Sequence, residues 1–430
     1  MTEPAFETRS AIQLPSLTGA RFVAAMLVVL HHSPEVAIAA VPGLTHVARA
    51  GYIGVGFFFV LSGFVLTWGN APDTPTSTFY YRRLSRLWPL YLVTLALAMP
   101  LTMADAPGHH SWLRVLADAF LVQAWIPDQS WYFSENAVSW SLSAEAFFYA
   151  ITPWLLARRM RRPGRVLAAA VGGSVLLQLW VLQLSSQQHW AGYILPVAGL
   201  PAFLAGHVAA RLVRGQGLPR IPLSAAAVAV ALCGGLAIGV NENLPWAAIG
   251  STRLGAGAAE LVMLPAWLLA IIALAQWDLA GRPRLGGRVL ERLGVWSFAL
   301  YLVHQLLFRA LGQLGFVPTT LPQAVVTWSG AILVAAAAHH LVEHPVDAGI
   351  RKVLARRAKA SCLPVSQDEG AQAGPGSDLY GGSQRHLPRG RPHGQQVAPA
   401  QRTPRDEDQH QHQGSGDRPD DGAFGRGTTQ

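Results

Sequence analysis

The sequence predicts an all-α protein, a polytopic membrane helix bundle of about ten transmembrane helices with both termini cytoplasmic. Three observations predict it. Of the 430 residues, 51% are hydrophobic and only 13% are charged, well under the roughly 25% charged residues of a soluble domain. Apolar runs recur along the chain, each near the roughly 20 residues that cross a bilayer as a helix, the form that satisfies its own backbone in lipid. Arginine is concentrated in alternate loops, as expected when positive charge resists translocation.

Taken in order, the spans fall near 20–40, 50–68, 88–104, 140–157, 164–184, 193–213, 221–240, 257–276, 293–312 and 323–343. The stretch 111–126 carries Arg114 and Asp118 at i, i+4, so it reads as an interfacial or re-entrant helix. With the N-terminus inside, the cytoplasmic loops hold Arg82, Arg83 and Arg86, then Arg158, Arg159, Arg161, Arg162 and Arg165. Next come Arg211, Arg214 and Arg220, then Arg282, Arg284, Arg288 and Arg292, and a last cluster from Arg351 to Lys359. The opposite loops hold only Arg49, Arg114 and Arg253. Residues 22–30 are short enough for a signal-peptide core, but His31 and His32 end that core and the charge pattern works with the segment retained. From about residue 360 to 430 the composition turns to Gly, Pro, Gln, Ser, Asp, Arg and His without apolar periodicity, which predicts a disordered cytoplasmic tail behind a membrane domain at 14–350.

The formal charge of +9 does not point to nucleic acid, because the basic residues sit in short clusters between spans and form no basic face. With only Cys233 and Cys362, neither a disulfide framework nor a cysteine metal site is expected, and the histidines of the C-terminal stretch, such as His410 and His412, which could bind metal weakly, are read as part of a solvated tail, so no metal site is expected.

Ionisable groups inside the hydrocarbon are costly and are candidates for function. Arg21 is followed eleven residues later by His32, next to His31, which places an imidazole roughly half a bilayer from the cytoplasmic end. Such a group can accept and return a proton near neutral pH. Gly54, Gly56 and Gly63 allow close helix approach, with Ser62 on the same span. Arg82 and Arg86 share a helix face at i, i+4 and make a fork for phosphate oxygens or a topology signal. Glu145, one turn into an apolar span, requires a partner such as a histidine, or favours the positive end of its helix. Tyr301 and His304 lie on adjacent turns, and Glu343 precedes Pro345 at the end of the last span.

In this order the segments resemble the membrane acyltransferase type 3 family, which acylates surface polysaccharides, glycolipids and some glycosylated metabolites. The matching pieces are Arg21 with His32, Gly54 to Phe64, and Arg82 to Arg86 with Pro89 and Tyr91. Trp140 to Glu145 with Phe148 and Tyr149 follow, then Ser297 to Tyr301 with His304, and Glu343 with Pro345. The resemblance implies a ten-helix bundle of the bacterial inner (plasma) membrane, with His32 catalytic, Glu145 its characteristic acid and Arg82 with Arg86 on the donor side. Arg21, Ser62, Tyr301, His304 and Glu343 are supporting residues. His31 stands where the family commonly has an aromatic or apolar residue.

The expected reaction moves an acyl group, an acetyl, from acyl-CoA as co-substrate to a hydroxyl of a glycan or glycolipid, with no cofactor. His32, oriented by Glu145, would remove the hydroxyl proton. The carbohydrate-bearing acceptor could also be a macrolide-like glycosylated secondary metabolite. A transporter of a glycosylated or anionic solute is the rival from another class. Against it, no pair of Gly- or Pro-broken spans stands in corresponding halves.

Overall fold

A computed structural model describes residues 13–361, apart from 71–73, 106–110, 159–161, 185–187, 216, 245–247, 250 and 251. The expected tail lies outside the described residues from 362 onward. Helices make the architecture: α1 (Pro15–His31), α2 (Gly54–Trp68), α3 (Thr76–Asp105), α4 (Trp112–Ala119), α5 (Trp140–Ala157) and α6 (Pro163–Val181). These are followed by α7 (Leu200–Arg214), α8 (Leu223–Asn241), α9 (Ala256–Leu279), α10 (Gly287–Gln313), α11 (Leu321–Ala338) and α12 (His344–Ser361). The strand content of the described residues is one two-residue antiparallel pairing, Ala248 with Arg253 and Ile249 with Thr252.

Eight helices among the described residues are long and apolar enough to cross a membrane. They correspond to α2, α3, α6, α7, α8, α9, α10 and the run from α11 into α12. Two helices at expected spans fall outside that set. α1 has 17 residues, and α5 has 18 but carries Ser141, Ser143 and Glu145 in its first two turns. Both are polar where the candidate site lies. The interfacial segment is the short helix α4, whose exposed Trp112, Leu113 and Leu116 lie opposite buried Val115 and Asp118, an amphipathic element as its pattern predicts.

In lipid, helix association rests on close packing and interhelical hydrogen bonds rather than on burial of apolar area from water. The α2–α7 seam is built that way. A Cβ on Gly63 would overlap the Phe203 carbonyl oxygen, and one on Gly206 would overlap that of Val60, so glycine at both positions lets the backbones touch. Above the seam Phe148 stacks on Phe203 at 4.5 Å, with Phe59 edge-on to Phe148 at 5.3 Å. Arg214 Nη2 donates to the Thr67 and Trp68 carbonyls at the end of α2, and Arg211 Nη2 to the Leu155 carbonyl near the end of α5. These arginines satisfy carbonyls that a helix C-terminus leaves open. The other closely packed pairs are α1 with α10, α8 with α9, and α10 with α11.

Between α11 and α12 the chain makes one π turn, His339–Glu343. The wider turn inserts an extra residue into the helix and buries His339 and Glu343, whose side chains bond at 2.9 Å.

Candidate active site

One cavity is an arginine chamber of about 150 Å³ enclosed by α1, α2, α3, α5 and α10. Its polar lining is Arg21, Ser62, Arg83, Arg86, Ser141, Glu145, Tyr149, Ser297 and Tyr301; Phe58, Phe59, Leu66 and Leu142 are among its apolar walls. Ser62 Oγ donates to Glu145 Oε1 at 2.7 Å, holding the carboxylate across from α2. Arg21 lies within electrostatic reach of Arg86, Glu343 and Glu145. Among the described residues none of Arg21, Arg83 and Arg86 forms an ion pair within 4.0 Å, and the buried Arg83 Nε has no hydrogen-bond partner. Three guanidiniums converging on one low-dielectric space without a contacting carboxylate make a strong attractor for anions.

The second cavity, about 450 Å³ and more open, is lined by His32, Phe133, Ser134, Ala137, Gln305, Phe308 and Arg309. Arg309 forms part of its wall; it bonds Asp105 at 2.8 Å and the Glu135 carbonyl at 2.7 Å. Behind Ser134, the carboxylate of Asp118 accepts from that serine's hydroxyl. Burial pushes the Asp118 carboxyl up to about 7, against the lowering effect of the Ser134 bond.

Tyr301 and His304, one turn apart on α10, stand between the chambers. Tyr301 lines the arginine chamber, with its hydroxyl 2.8 Å from Ser141 Oγ and donating to the Val138 carbonyl at 2.9 Å. Its ring is 6.2 Å from that of His304, whose Nε2 is 3.2 Å from His32 Nδ1.

The expected site residues therefore divide. Arg21, Ser62, Arg86, Glu145 and Tyr301 share the arginine chamber, Glu343 is outside its lining and bonds His339, and His32 faces the other cavity with His304 beside it. Two expectations need correction. Arg82 is exposed and does not line the chamber; Arg83 does, at i, i+3 from Arg86. The buried face of α3, carried by Phe79, Leu87 and Leu90, runs through 83 and 86 when extended by helical spacing. That apolar pattern was the available signal. The second correction concerns Glu145, which bonds Ser62 in the arginine chamber and does not orient His32. Of the two adjacent histidines, His32 lines the cavity, whereas His31 is turned to the Ala48 carbonyl at 3.1 Å and packs edge-on to Tyr52.

Sequence reasoning also passed over Glu260, within the ninth helix. Its Oε1 accepts from the Gly56 backbone N–H at 3.2 Å, and a Cβ on Gly56 would overlap its carboxylate. Tyr193 and Trp267 donate to the Tyr52 and Ile53 carbonyls alongside. This fastens the start of α2, the helix that carries Ser62. An ionisable residue within an apolar span was the signal.

A family model described as an acyltransferase domain matches residues 14–340, the stretch that contains every lining residue of both chambers. Acyltransferase MdmB of Streptomyces mycarofaciens is 33% identical over 387 residues, covering 82% of this chain and 95% of that protein. Peptidoglycan O-acetyltransferase OatA of Listeria monocytogenes is 27% identical over 187 residues, 39% of this chain and 28% of that protein. O-acetyltransferase OatA of Staphylococcus aureus is 26% identical over 164 residues, 35% of this chain and 26% of that protein. The chain thus spans nearly the whole of the first relative and about a quarter of the other two. No solved structure matches it. The family model over residues 14–340 and the 33% identity along nearly the whole of the first relative place this chain in the acyltransferase family, as an O-acyltransferase built into a membrane helix bundle.

Proposed function

We propose that the enzyme crosses the bacterial inner (plasma) membrane ten times with both termini in the cytoplasm, and moves an acetyl group from acyl-CoA to a hydroxyl of a glycan or glycolipid. The observation that carries this reading is the pair of chambers meeting at Tyr301 and His304. The arginine chamber suits a phosphate-bearing donor, because three guanidiniums lie there without a contacting carboxylate. Arg21, Arg83 and Arg86 hold the donor's phosphates, and the acyl arm runs past Phe58 and Leu142 toward Tyr301. The wider cavity takes the acceptor.

His32 removes the proton from the acceptor hydroxyl as its oxygen attacks the thioester carbonyl. The oxygen–carbon bond forms, the carbon–sulfur bond breaks, and the coenzyme leaves as a thiolate that takes back the proton from His32. Holding both substrates at one boundary supplies the proximity that direct transfer requires. Glu145, fixed by Ser62 in the same chamber as the arginines, acts on their field rather than on the base. Relatives named for O-acetylation of peptidoglycan support a carbohydrate acceptor.

The test is to incubate purified protein with radiolabelled acetyl-CoA and candidate glycolipid acceptors, following thiol release and label transfer. Acceptor-dependent release supports the reading. Release without label transfer to any carbohydrate hydroxyl would overturn the acceptor assignment.

A further inference from the structure

We infer that His304 is a positioning residue that fixes which nitrogen of His32 acts as the base. This deepens the reading above and rests on His32 being that base. His304 is fully buried on α10, and its Nδ1 lies 3.0 Å from the Leu300 carbonyl. A carbonyl oxygen can only accept, so this nitrogen carries the hydrogen and, in the neutral ring, Nε2 carries the lone pair.

That lone pair lies 3.2 Å from His32 Nδ1, which is also 2.9 Å from the Val28 carbonyl. Both neighbours of His32 Nδ1 are acceptors, so Nδ1 is the protonated nitrogen and Nε2 is left as the basic atom. The Val28 carbonyl alone is a weak anchor, because it also accepts from the His32 backbone N–H at 3.2 Å. His304 supplies the second acceptor; the ring of His31, 5.1 Å from that of His32, has its own Nδ1 turned to the Ala48 carbonyl.

His304 is itself held in place. Asn136 Nδ2 donates to the Leu302 carbonyl at 3.1 Å and Tyr301 is tied to Val138, which locks this turn of α10 onto the start of α5. On the other side Ser33, next to His32, accepts from Trp328 Nε1 at 2.8 Å. When His32 Nε2 takes the hydroxyl proton, the ring becomes an imidazolium, and its Nδ1–H bond to His304 becomes charge-assisted. The contact therefore strengthens in the transition state.

The experiment compares His304→Phe with His304→Gln, alongside His32→Ala. Phenylalanine keeps the ring shape without an acceptor. The amide oxygen of glutamine reaches the place of Nε2. His304→Phe is expected to lower kcat on the order of 10-fold to 100-fold with KM for acetyl-CoA unchanged, and His304→Gln to recover most of it. Solid-state NMR of wild-type protein labelled with ¹⁵N-histidine, with His32 assigned by its loss in His32→Ala, should show hydrogen on Nδ1. A wild-type kcat for His304→Phe, a glutamine variant as slow as the phenylalanine one, or hydrogen on Nε2 would overturn the inference. Full activity in His32→Ala would instead overturn the base assignment on which it stands.

Discussion

The two chambers differ in how their polar groups are satisfied. In the arginine chamber, charge is left over: Arg83 has an unpartnered buried nitrogen, and the one lining carboxylate is tied to Ser62. In the histidine cavity, charge is used up, since Arg309 is bound to Asp105 and to the Glu135 carbonyl. The first therefore gains most from an anionic ligand, and the second from a neutral one that brings a proton to His32. Unsatisfied charge marks where a substrate supplies the missing partner.

The largest expected effect breaks this contrast at the histidine side. His32→Ala should insert and fold normally but lose on the order of 10²–10⁴-fold in acyl transfer, whereas His31→Ala, directed at Ala48, should be mild. Turnover assays on both variants check this, and a stable His32→Ala enzyme with normal turnover would leave the second cavity without a role.

On the arginine side, Arg83→Ala and Arg86→Ala should each lower kcat/KM for acetyl-CoA by roughly 10- to 150-fold, the worth of a charge-assisted contact of about 1.5–3 kcal/mol. Arg82→Ala should stay close to wild type. Lysine at 83 should recover only part of the loss, because it lacks the guanidinium fork. If Arg82→Ala proved the damaging change, the buried face of α3 would be misassigned.

Binding measurements sharpen the contrast further. Arg83→Ala should weaken acetyl-CoA binding by the same factor in wild type and in a His32→Ala background, since separated sites without shared partners contribute additively, within about 0.5 kcal/mol. A coupling well above that limit would mean one site rather than two.

The smallest effect concerns Asp118, behind the cavity wall. Its folded carboxyl is raised to about 7 by burial, so the folded state binds more protons than the unfolded one between the ordinary value and about 7. Stability from this group is full below the unfolded value and is lost as pH rises toward and through about 7. Thermal unfolding in detergent should show wild type losing stability across that window more steeply than Asp118→Asn. Parallel curves would remove the effect.

Much of this was legible in the sequence because lipid imposes strict rules. Runs of apolar residues locate the helices, and an ionisable residue inside one requires a reason, which brought Arg21, His32 and Glu145 forward. Which side chains face each other was less legible. Arg82, Arg83 and Arg86 offer two pairings by spacing, and only the packing of α3 against α10, α12 and α5 selects 83 with 86. The pairing of Glu145 with His32 was plausible chemistry for two intramembrane groups. However, Ser62 reaches the carboxylate first, and His304, 272 residues from His32, takes the imidazole. Contacts at that separation leave no periodicity to read. Polar Ser141 and Ser143 also kept α5 out of the long apolar helices, since a site-bearing helix gives up apolarity to line a chamber.

The partition made by Tyr301 and His304 has an electrical consequence. On the proposed reading, in which the chambers open to opposite faces of the inner membrane, the bundle is close to being a pore, and a membrane that stores energy as an ion gradient tolerates no open pore. Here the barrier is a phenol hydroxyl bound to Ser141 and Val138, backed by Phe58 at 6.1 Å and by the imidazole one turn on. On that reading, the same side chains that bring two substrates to a common boundary also seal the bilayer, and catalysis must proceed without breaking that seal for longer than one acyl group takes to pass.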